Sequence, residues 1–291
     1  MTDLDTLKTS DGQPDGQPEA DPAPADGAAK PGSWYGRAGR YLLRERPEFV
    51  LAPLALVVLI YLWDLVTSSG LVEPVLLPSP RAVARALKVL LTAPWFPGNL
   101  GTTVLETVSG FFIAAILAVG VAVLMDQVRL IRRVGYPYVV VLQVMPSVVL
   151  APIFIVWFGF GVSSKIVVAV STAFFVILVN TLSGLASVSE NSRLLMRSMC
   201  ASRRQMFFKL TLPTALPYVF AAFKTAATLS LIGALVGEFI TARSGLGRLL
   251  TQFSFALRQD MMFATVLVVG ALGVALYGLV AFLEKKIIWW R

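Results

Sequence analysis

The segment Arg193–Pro217, RLLMRSMCASRRQMFFKLTLPTALP, decides how the rest of the chain is organised. Five Lys or Arg residues stand in it between two long apolar stretches, so it is too charged to lie in lipid. Its basic residues recur with helical spacing, which predicts that Arg193, Arg197 and Arg204 share one helix face, and Leu212-Pro213 opens the next helix. We therefore predict a basic helical segment held at a membrane surface by a span on either side, where a soluble partner can reach it.

Composition places the whole chain in the membrane class. Apolar residues make up 56% of the 291 residues, and charged residues make up only 14%. Six stretches are nearly free of charge and long enough to approach or cross a hydrocarbon core of roughly 30 Å. The sequence therefore predicts an all-α membrane protein with six transmembrane helices. The predicted spans are Val50–Val66, Val104–Met125, Tyr136–Phe158, Ile166–Ala186, Leu216–Ile240 and Met261–Leu283.

The distribution of basic residues predicts the orientation. With the amino terminus inside, 17 of the 25 Lys and Arg residues fall on the cytoplasmic side, including those of the segment Arg193–Pro217. Cytoplasmic loops of membrane proteins carry the excess of Lys and Arg. We therefore expect a multi-pass protein with both termini in the cytoplasm.

Two regions are expected along the chain. Residues 1–46 are an acidic, proline-containing tail followed by a basic juxtamembrane segment, and the tail repeats the tetrapeptide DGQP. A segment with so few apolar residues cannot offset the entropy of ordering, so we predict that the tail is disordered. Residues 47–291 form the predicted transmembrane domain, with the basic loop at 190–212. Within it, Ser79 is a predicted N-cap, and Pro80 begins an amphipathic helix over Arg81–Leu91 that is expected to lie at the membrane interface.

Candidate residues for a substrate pathway come from the third span. Pro146 and Pro152 each remove a backbone donor inside it, and broken helices are tolerated in lipid only where protein or a water-lined path satisfies the freed groups. Met145, Pro146 and Ser147 are therefore a candidate pathway lining, and a simple packing kink explains them equally well.

Few ionisable residues fall in or near the predicted spans. Glu238, just before the glycine-rich loop Ser244–Gly247, is a further pathway candidate. Asp64 and Glu106 are expected to be solvated near the ends of their spans. Lys224 is expected to snorkel or to pair with a carboxylate.

Several kinds of chemistry are missing from the sequence. It has no G-x-x-x-x-G-K-[ST] phosphate loop, so we expect no ATP hydrolysis by this chain alone. It has no histidine and a single cysteine, which argues against a hydrolase triad, an intrachain disulfide and a metal site. Its basic residues flank spans and form no stripe for nucleic acid. We therefore expect neither catalysis, nor a bound metal or cofactor, nor nucleic-acid binding.

The basic loop resembles the cytoplasmic signature of permease subunits of ATP-binding-cassette (ABC) importers. In that signature a Glu-Ala-Ala-type helix leads to a glycine, nine residues and then Ile-x-Leu-Pro. Leu210-Thr211-Leu212-Pro213 matches its end, whereas Cys200 stands at the glycine position and Leu194-Leu195-Met196 at the Glu-Ala-Ala positions. Further motifs resemble the nitrate/sulfonate/taurine-type subgroup over about residues 48 to 291. They are Leu77-Pro-Ser-Pro80, Ala151-Pro-Ile-Phe-Ile-Val-Trp-Phe-Gly159, Leu212-Pro-Thr-Ala-Leu-Pro217, Gly237-Glu238 and Ser244-Gly-Leu-Gly247.

The resemblance implies a type I importer permease fold in the inner (cytoplasmic) membrane of a bacterium. It implies a cytoplasmic ABC ATPase dimer that uses ATP, an extracytoplasmic solute-binding protein, and a second permease copy, all within membrane lipid. The implied ATPase-coupling residues are Arg193, Arg197, Ser198, Cys200, Ala201, Ser202, Arg203, Arg204 and Gln205. The cargo stays open among small oxyanions, sulfonates and vitamin precursors. Alternatives from other classes are a stand-alone secondary transporter or channel, and a membrane scaffold.

Cys200 poses a specific question. The glycine of the signature occupies a turn suited to positive φ, and a cysteine there would cost on the order of 1 kcal/mol. The turn is therefore expected either to bear this strain or to be rebuilt.

Overall fold

The computed structural model describes residues 48–70, 72–73, 75–145, 147–241 and 243–289. These residues form eleven α-helices and one π-helical turn, and no strand occurs among them. The predicted tail at 1–46 lies outside the described residues. The chain divides into two compact units, Met1–Val58 and Leu59–Arg291. The α-helices are α1 Glu48–Ser68, α2 Pro80–Thr92, α3 Phe96–Gln127, α4 Arg129–Val144, α5 Ser147–Phe158, α6 Val162–Ala186, α7 Glu190–Ser198, α8 Arg203–Met206, α9 Leu212–Thr241, α10 Leu246–Phe255 and α11 Gln259–Ile287, with the π-helical turn Phe207–Thr211 between α8 and α9.

Five helical stretches of the described chain are long and apolar enough to cross a membrane. They are Leu51–Ser68, Phe96–Gln127, Val162–Ala186, Arg203–Ile240 and Gln259–Ile287. The predicted third span, Tyr136–Phe158, is instead a broken pair, in which Arg129–Val144 and Val149–Phe158 meet at 105°. The all-α prediction is confirmed, and six spans are reached when this bent pair counts as one.

The break between α4 and α5 follows from proline chemistry. Helix α4 ends at Val144, and Met145 adopts an extended backbone with φ −69° and ψ 125°. A residue that precedes proline is pushed out of the helical region by the proline ring, and Pro146 is the next residue in the sequence. The helix therefore ends at the residue before the Met145-Pro146 pair.

Small residues let the three central helices α3, α6 and α9 approach closely. Ala114, Ala118 and Ala122 of α3 are buried in one cluster with residues of α6 and α9. A Cβ atom added at Gly110 would lie 2.5 Å from the Cβ of Ala169, so the α3 and α6 backbones are in near contact there. Membrane helices associate largely through such close packing, because lipid offers no hydrophobic drive between them.

Helix α2 begins as predicted. The Ser79 hydroxyl accepts a hydrogen bond from the backbone N–H of Ala82 at 3.3 Å, and Pro80 is the first helical residue. Its apolar face, with Val83, Ala86 and Leu90, is buried. Ala86 and Leu90 belong to a core cluster with residues of α9, α10 and α11, so this face packs against protein.

Lys224 of α9 was expected either to snorkel or to pair with a carboxylate, and the structure shows the pairing. Its Nζ lies 2.7 Å from an Oε of Glu284 on α11, and both side chains are about four-fifths buried, at 21% and 18% exposure. This ion pair joins the last long helix to the central group.

Candidate functional site

The basic segment, defined here as Glu190–Met206, begins shortly after α6 ends at Ala186. Ser189 caps α7 by accepting a hydrogen bond from the N–H of Ser192 at 3.2 Å. The guanidinium of Arg193 donates to the carbonyl of Leu185 near the end of α6 at 3.4 Å. The first turn of α7 is therefore tied back to the spanning helix that precedes it.

Cys200 adopts the left-handed conformation, with φ 55°. The N–H of Ala201 donates to the carbonyl of Met196 at 3.0 Å, and the N–H of Cys200 donates to the carbonyl of Arg197 at 2.9 Å. These two hydrogen bonds are the Schellman motif that ends a helix, and glycine is its usual residue at the left-handed position. The turn is therefore kept and the cysteine bears the backbone strain, which is the first of the two expected outcomes.

The second half of the basic segment starts one residue later. Ser202 and Gln205 form a capping box: the N–H of Ser202 donates to Oε1 of Gln205 at 2.8 Å, and the N–H of Gln205 donates to the Ser202 hydroxyl at 3.3 Å. This reciprocal pairing begins α8 immediately after the turn. Helix, left-handed turn and second helix together form a hydrogen-bonded corner on the surface.

Helix α8 continues into the next span without a break. The path Arg203–Ile240 is one helical stretch of 38 residues that includes the π-helical turn Phe207–Thr211. Leu212-Pro213 was predicted to open a new helix, and that prediction is wrong in one respect, because the backbone is already helical when it reaches Leu212. The N–H of Leu212 donates to the carbonyl of Phe207, five residues back. Such a widened turn is a common irregularity of functional helices.

The structure brings the predicted coupling residues together on the surface but divides them between two helices. Arg193, Arg197 and Ser198 lie on α7, whereas Arg203, Arg204 and Gln205 lie on α8, with Cys200, Ala201 and Ser202 in the turn. The prediction that Arg193, Arg197 and Arg204 share one continuous helix face is therefore wrong, because the turn at Cys200 redirects the chain.

The surface of the basic segment is apolar as well as charged. Leu195 and Met199 are 63% and 69% exposed, and Arg197, Arg203 and Arg204 are exposed beside them. A mixture of exposed apolar and arginine side chains is typical of a protein–protein contact and is costly on a surface that stays in water.

The predicted pathway residues fall in two places. Met145 is exposed at the break between α4 and α5, Pro146 lies outside the described residues, and Ser147 is the first residue of α5. Glu238 lies far along α9 and is only 1% exposed within the single chain. Their role in a pathway stays a prediction.

Glu238 anchors the glycine-rich loop at the start of α10. Its Oε1 accepts from the hydroxyl of Thr103 on α3 at 2.7 Å, and its Oε2 accepts from the N–H of Gly247 at 2.5 Å. The Thr103 oxygen in turn accepts from the N–H of Leu246 at 2.8 Å, and Oδ1 of Asn99 accepts from the N–H of Gly245 at 2.9 Å. We call Asn99, Thr103, Glu238 and the backbone of 245–247 the loop anchor.

The two glycines of the loop are required by the loop anchor. Gly245 has φ 117°, and a Cβ atom there would collide with the Glu238 carboxyl group. A Cβ atom at Gly247 would lie 2.8 Å from Oε2 of Glu238. The motif Gly237-Glu238 with Ser244-Gly-Leu-Gly247 is thus one physical unit, in which the glutamate fills the space that the glycines leave.

The burial of two ionisable groups beside the loop anchor was missed from the sequence. Glu106 is 1% exposed, and neither carboxyl oxygen has a hydrogen-bond partner among the described residues. The expectation that Glu106 is solvated is wrong, because α3 begins at Phe96 and Glu106 lies about three turns inside it. Lys165 is buried as well, and its Nζ donates to the carbonyls of Phe160 and Gly161 at 3.1 and 2.9 Å. The i, i+4, i+7 spacing of Asn99, Thr103 and Glu106 was the available signal for a polar face on α3.

The model of one known family, described as binding-protein-dependent transport system inner membrane component, matches residues 110–289, which include the basic segment and the loop anchor's Glu238. The chain belongs to this family. It is therefore the membrane permease subunit of a binding-protein-dependent ABC importer, as the resemblance of the basic loop implied. This membership favours the importer over a stand-alone secondary transporter and over a scaffold.

Relatives support the same conclusion over most of the chain. The formylaminopyrimidine transport permease protein ThiX of Halalkalibacterium halodurans is 33% identical, across 80% of this chain and 92% of that protein. The riboflavin transport system permease protein RibX of Chloroflexus aurantiacus is 30% identical, across 82% and 89%. The putative aliphatic sulfonates transport permease protein SsuC of Bacillus subtilis is 25% identical, across 85% and 90%. The last relative fits the predicted nitrate/sulfonate/taurine-type subgroup.

A solved structure shares the fold. A chain of the MetNI methionine ABC transporter in an inward-facing conformation aligns with a TM-score of 0.51 and 22% identity, over 64% of this chain and 92% of that chain. The prediction of a type I importer permease fold is confirmed.

Proposed function

We propose that two copies of this permease form the substrate route of the importer between them, and that the basic segment of each copy docks in a separate cytoplasmic ATPase. ATP is bound and hydrolysed by those ATPase subunits, and this chain holds no cofactor of its own. An extracytoplasmic binding protein delivers the solute to the opposite side. The excess of Lys and Arg on the side of the basic segment supports its cytoplasmic placement, with both termini there, in the inner membrane of a bacterium.

The observation that carries the proposal is the corner at Cys200 and its two attachments to central helices. On one side Arg193 fixes α7 to the end of α6. On the other side α8 is continuous with α9 as far as Ile240. A force applied to the corner therefore acts directly on two of the three central helices, and α9 carries it to Glu238 at its other end. A helix of 38 residues spans about 57 Å, enough to cross the membrane and extend beyond it.

The names of three relatives reduce the set of candidate substrates. Two relatives of at least 30% identity have names that specify a cargo, formylaminopyrimidine for one and riboflavin for the other, and both compounds are nitrogen heterocycles. The relative named for sulfonates is 25% identical. We therefore propose a small nitrogen heterocycle related to a vitamin as the cargo, with a sulfonate as the second candidate.

Charge reversal in the basic segment tests the docking role. Arg197→Glu and Arg204→Glu each place a carboxylate on the exposed face of a different half of the corner. We expect each to weaken co-purification of the ATPase, or its stimulation by the permease, by tenfold or more, since removal of an interfacial charge partner costs about 2 kcal/mol or more. Arg85→Glu, on the exposed side of α2, is the matched control and should change neither. Normal assembly and normal coupling in both basic-segment variants would refute the assignment.

A further inference from the structure

A basic cavity lies between α4 and α6. Its volume is about 500 Å³; Arg132, Arg133 and Tyr136 line it from α4, and Leu182 and Ser183 line it from α6. The spanning helix α3 ends at Gln127, just before α4, and α6 ends at Ala186. The cavity therefore lies at the depth where the hydrocarbon core gives way to lipid headgroups, and it opens beside the start of the basic segment.

The two arginines of the cavity are not neutralised by the protein. Within the described part of the chain, the guanidinium groups of Arg132 and Arg133 have no hydrogen-bond or ion-pair partner. The one salt bridge among the described residues joins Lys224 to Glu284, which do not line the cavity. No acidic side chain lines the cavity. Two uncompensated guanidinium groups, with the hydroxyl of Tyr136 beside them, form a site for an anion with several oxygen acceptors, whereas the Ser183 hydroxyl already donates to the carbonyl of Val179 at 2.9 Å.

We propose that this cavity binds the headgroup of an anionic phospholipid such as phosphatidylglycerol. Arginine matches phosphate geometry with its planar fork of donors, and basic pockets between transmembrane helices on the cytoplasmic side are typical sites for anionic headgroups. The apolar wall formed by Val179 and Leu182 runs from the arginines into the span, where an acyl chain would lie. The shape and charge fit a lipid better than a free anion, because half of the lining is apolar side chain.

The site is mechanically connected to the basic segment. Leu185, one turn beyond Leu182 on α6, is the residue whose carbonyl accepts from Arg193. A lipid in the cavity therefore contacts the helix end that holds α7. The inference concerns lipid binding by the chain itself, so it stands or fails independently of the ATPase and of the cargo.

Lipid titration of the purified full-length chain tests the proposal. The chain in zwitterionic detergent is titrated with phosphatidylglycerol, with phosphatidylcholine and, separately, with inorganic phosphate, and bound lipid is counted by native mass spectrometry. We expect saturable binding of phosphatidylglycerol at about one molecule per chain, little binding of phosphatidylcholine, and no competition by millimolar phosphate. Effective competition by phosphate alone would show a free-anion site and overturn the lipid assignment.

Variants locate the site. Arg132→Gln with Arg133→Gln should weaken phosphatidylglycerol binding roughly 25-fold, because each arginine near a membrane surface contributes about fivefold. The double variant Arg81→Gln with Arg85→Gln removes as much charge from α2 and should leave binding unchanged. Ser183→Leu fills the cavity from the other wall and should also weaken binding, so the test does not depend on one variant folding. Unchanged binding in the Arg132/Arg133 variant, or an equal loss in the α2 control, would overturn the proposal.

Discussion

Replacing Cys200 with glycine should stabilise the corner of the basic segment. Cys200 has φ 55°, a conformation that costs an L-amino acid about 1–2 kcal/mol. Glycine avoids this cost but gives up about 0.5–1 kcal/mol through the greater freedom of its unfolded backbone. The net stabilisation expected for Cys200→Gly is therefore about 0.5–1 kcal/mol, and it acts on the local opening of the turn between α7 and α8.

Hydrogen exchange at the two amides that close the turn is the appropriate assay. The N–H groups of residues 200 and 201 donate to the carbonyls of Arg197 and Met196, so they exchange only when the turn opens. A gain of about 0.5–1 kcal/mol corresponds to exchange about two to five times slower. Cys200→Val should have the opposite effect, because a β-branched side chain is disfavoured further in the left-handed region.

The chain offers a matched control on its other turn of this kind. Leu257 has φ 54°, and the N–H of Arg258 donates to the carbonyl of Phe253 at 2.9 Å in the same Schellman geometry. Leu257→Gly should slow exchange at that turn and leave residues 200 and 201 unchanged. Faster exchange at residues 200 and 201 in Cys200→Gly, or no difference between the glycine and valine variants, would refute the assignment of strain to Cys200.

Two further predictions concern stability and use thermal unfolding of the purified chain. Gly245→Ala should destabilise it by about 1–3 kcal/mol, because the added methyl group collides with Glu238 at a positive φ, whereas Gly101→Ala, in a helix with open space around it, should be neutral or slightly stabilising. Lys224→Met should cost about 1–2 kcal/mol by leaving Glu284 without its partner, and adding Glu284→Gln should recover part of that loss. Equal melting temperatures for the two alanine variants, or further loss in the double variant of the ion pair, would contradict these explanations.

The sequence was sufficient for the features that depend on composition and local chemistry. Long uncharged stretches predicted the helical spans, and Ser79 with Pro80 predicted where α2 begins. Pro146 and Pro152 in the third span predicted broken geometry, and a bend of 105° is found between Val144 and Val149, whereas Pro152 lies inside the helix α5. The resemblance of the basic loop placed Cys200 at a turn suited to positive φ, but it left open whether the turn bears the strain or is rebuilt, and the φ of 55° decides for strain.

Features that depend on tertiary contacts were not accessible. Glu106 was expected to be solvated because the predicted span began at Val104, which placed Glu106 near its end. The helix α3 in fact begins at Phe96, so Glu106 lies well inside it. The role of Glu238 as the anchor of its loop depends on Thr103, which is 135 residues away in sequence. The division of the basic segment into two helices is by contrast a local feature, which helical periodicity missed although the glycine position of the signature indicated a turn at Cys200.

The most direct test of the account uses Cys200, the only cysteine in the chain. It is exposed at the tip of the corner, so the native protein can be labelled there with a maleimide. The account predicts rapid labelling of the isolated permease and at least tenfold slower labelling in its complex with the ATPase subunit. A cysteine moved to the other end of the molecule, in the variant Cys200→Ser with Ser254→Cys, should label equally in both forms. Equal labelling rates of Cys200 with and without the bound ATPase would contradict the claim that the basic segment is the docking element.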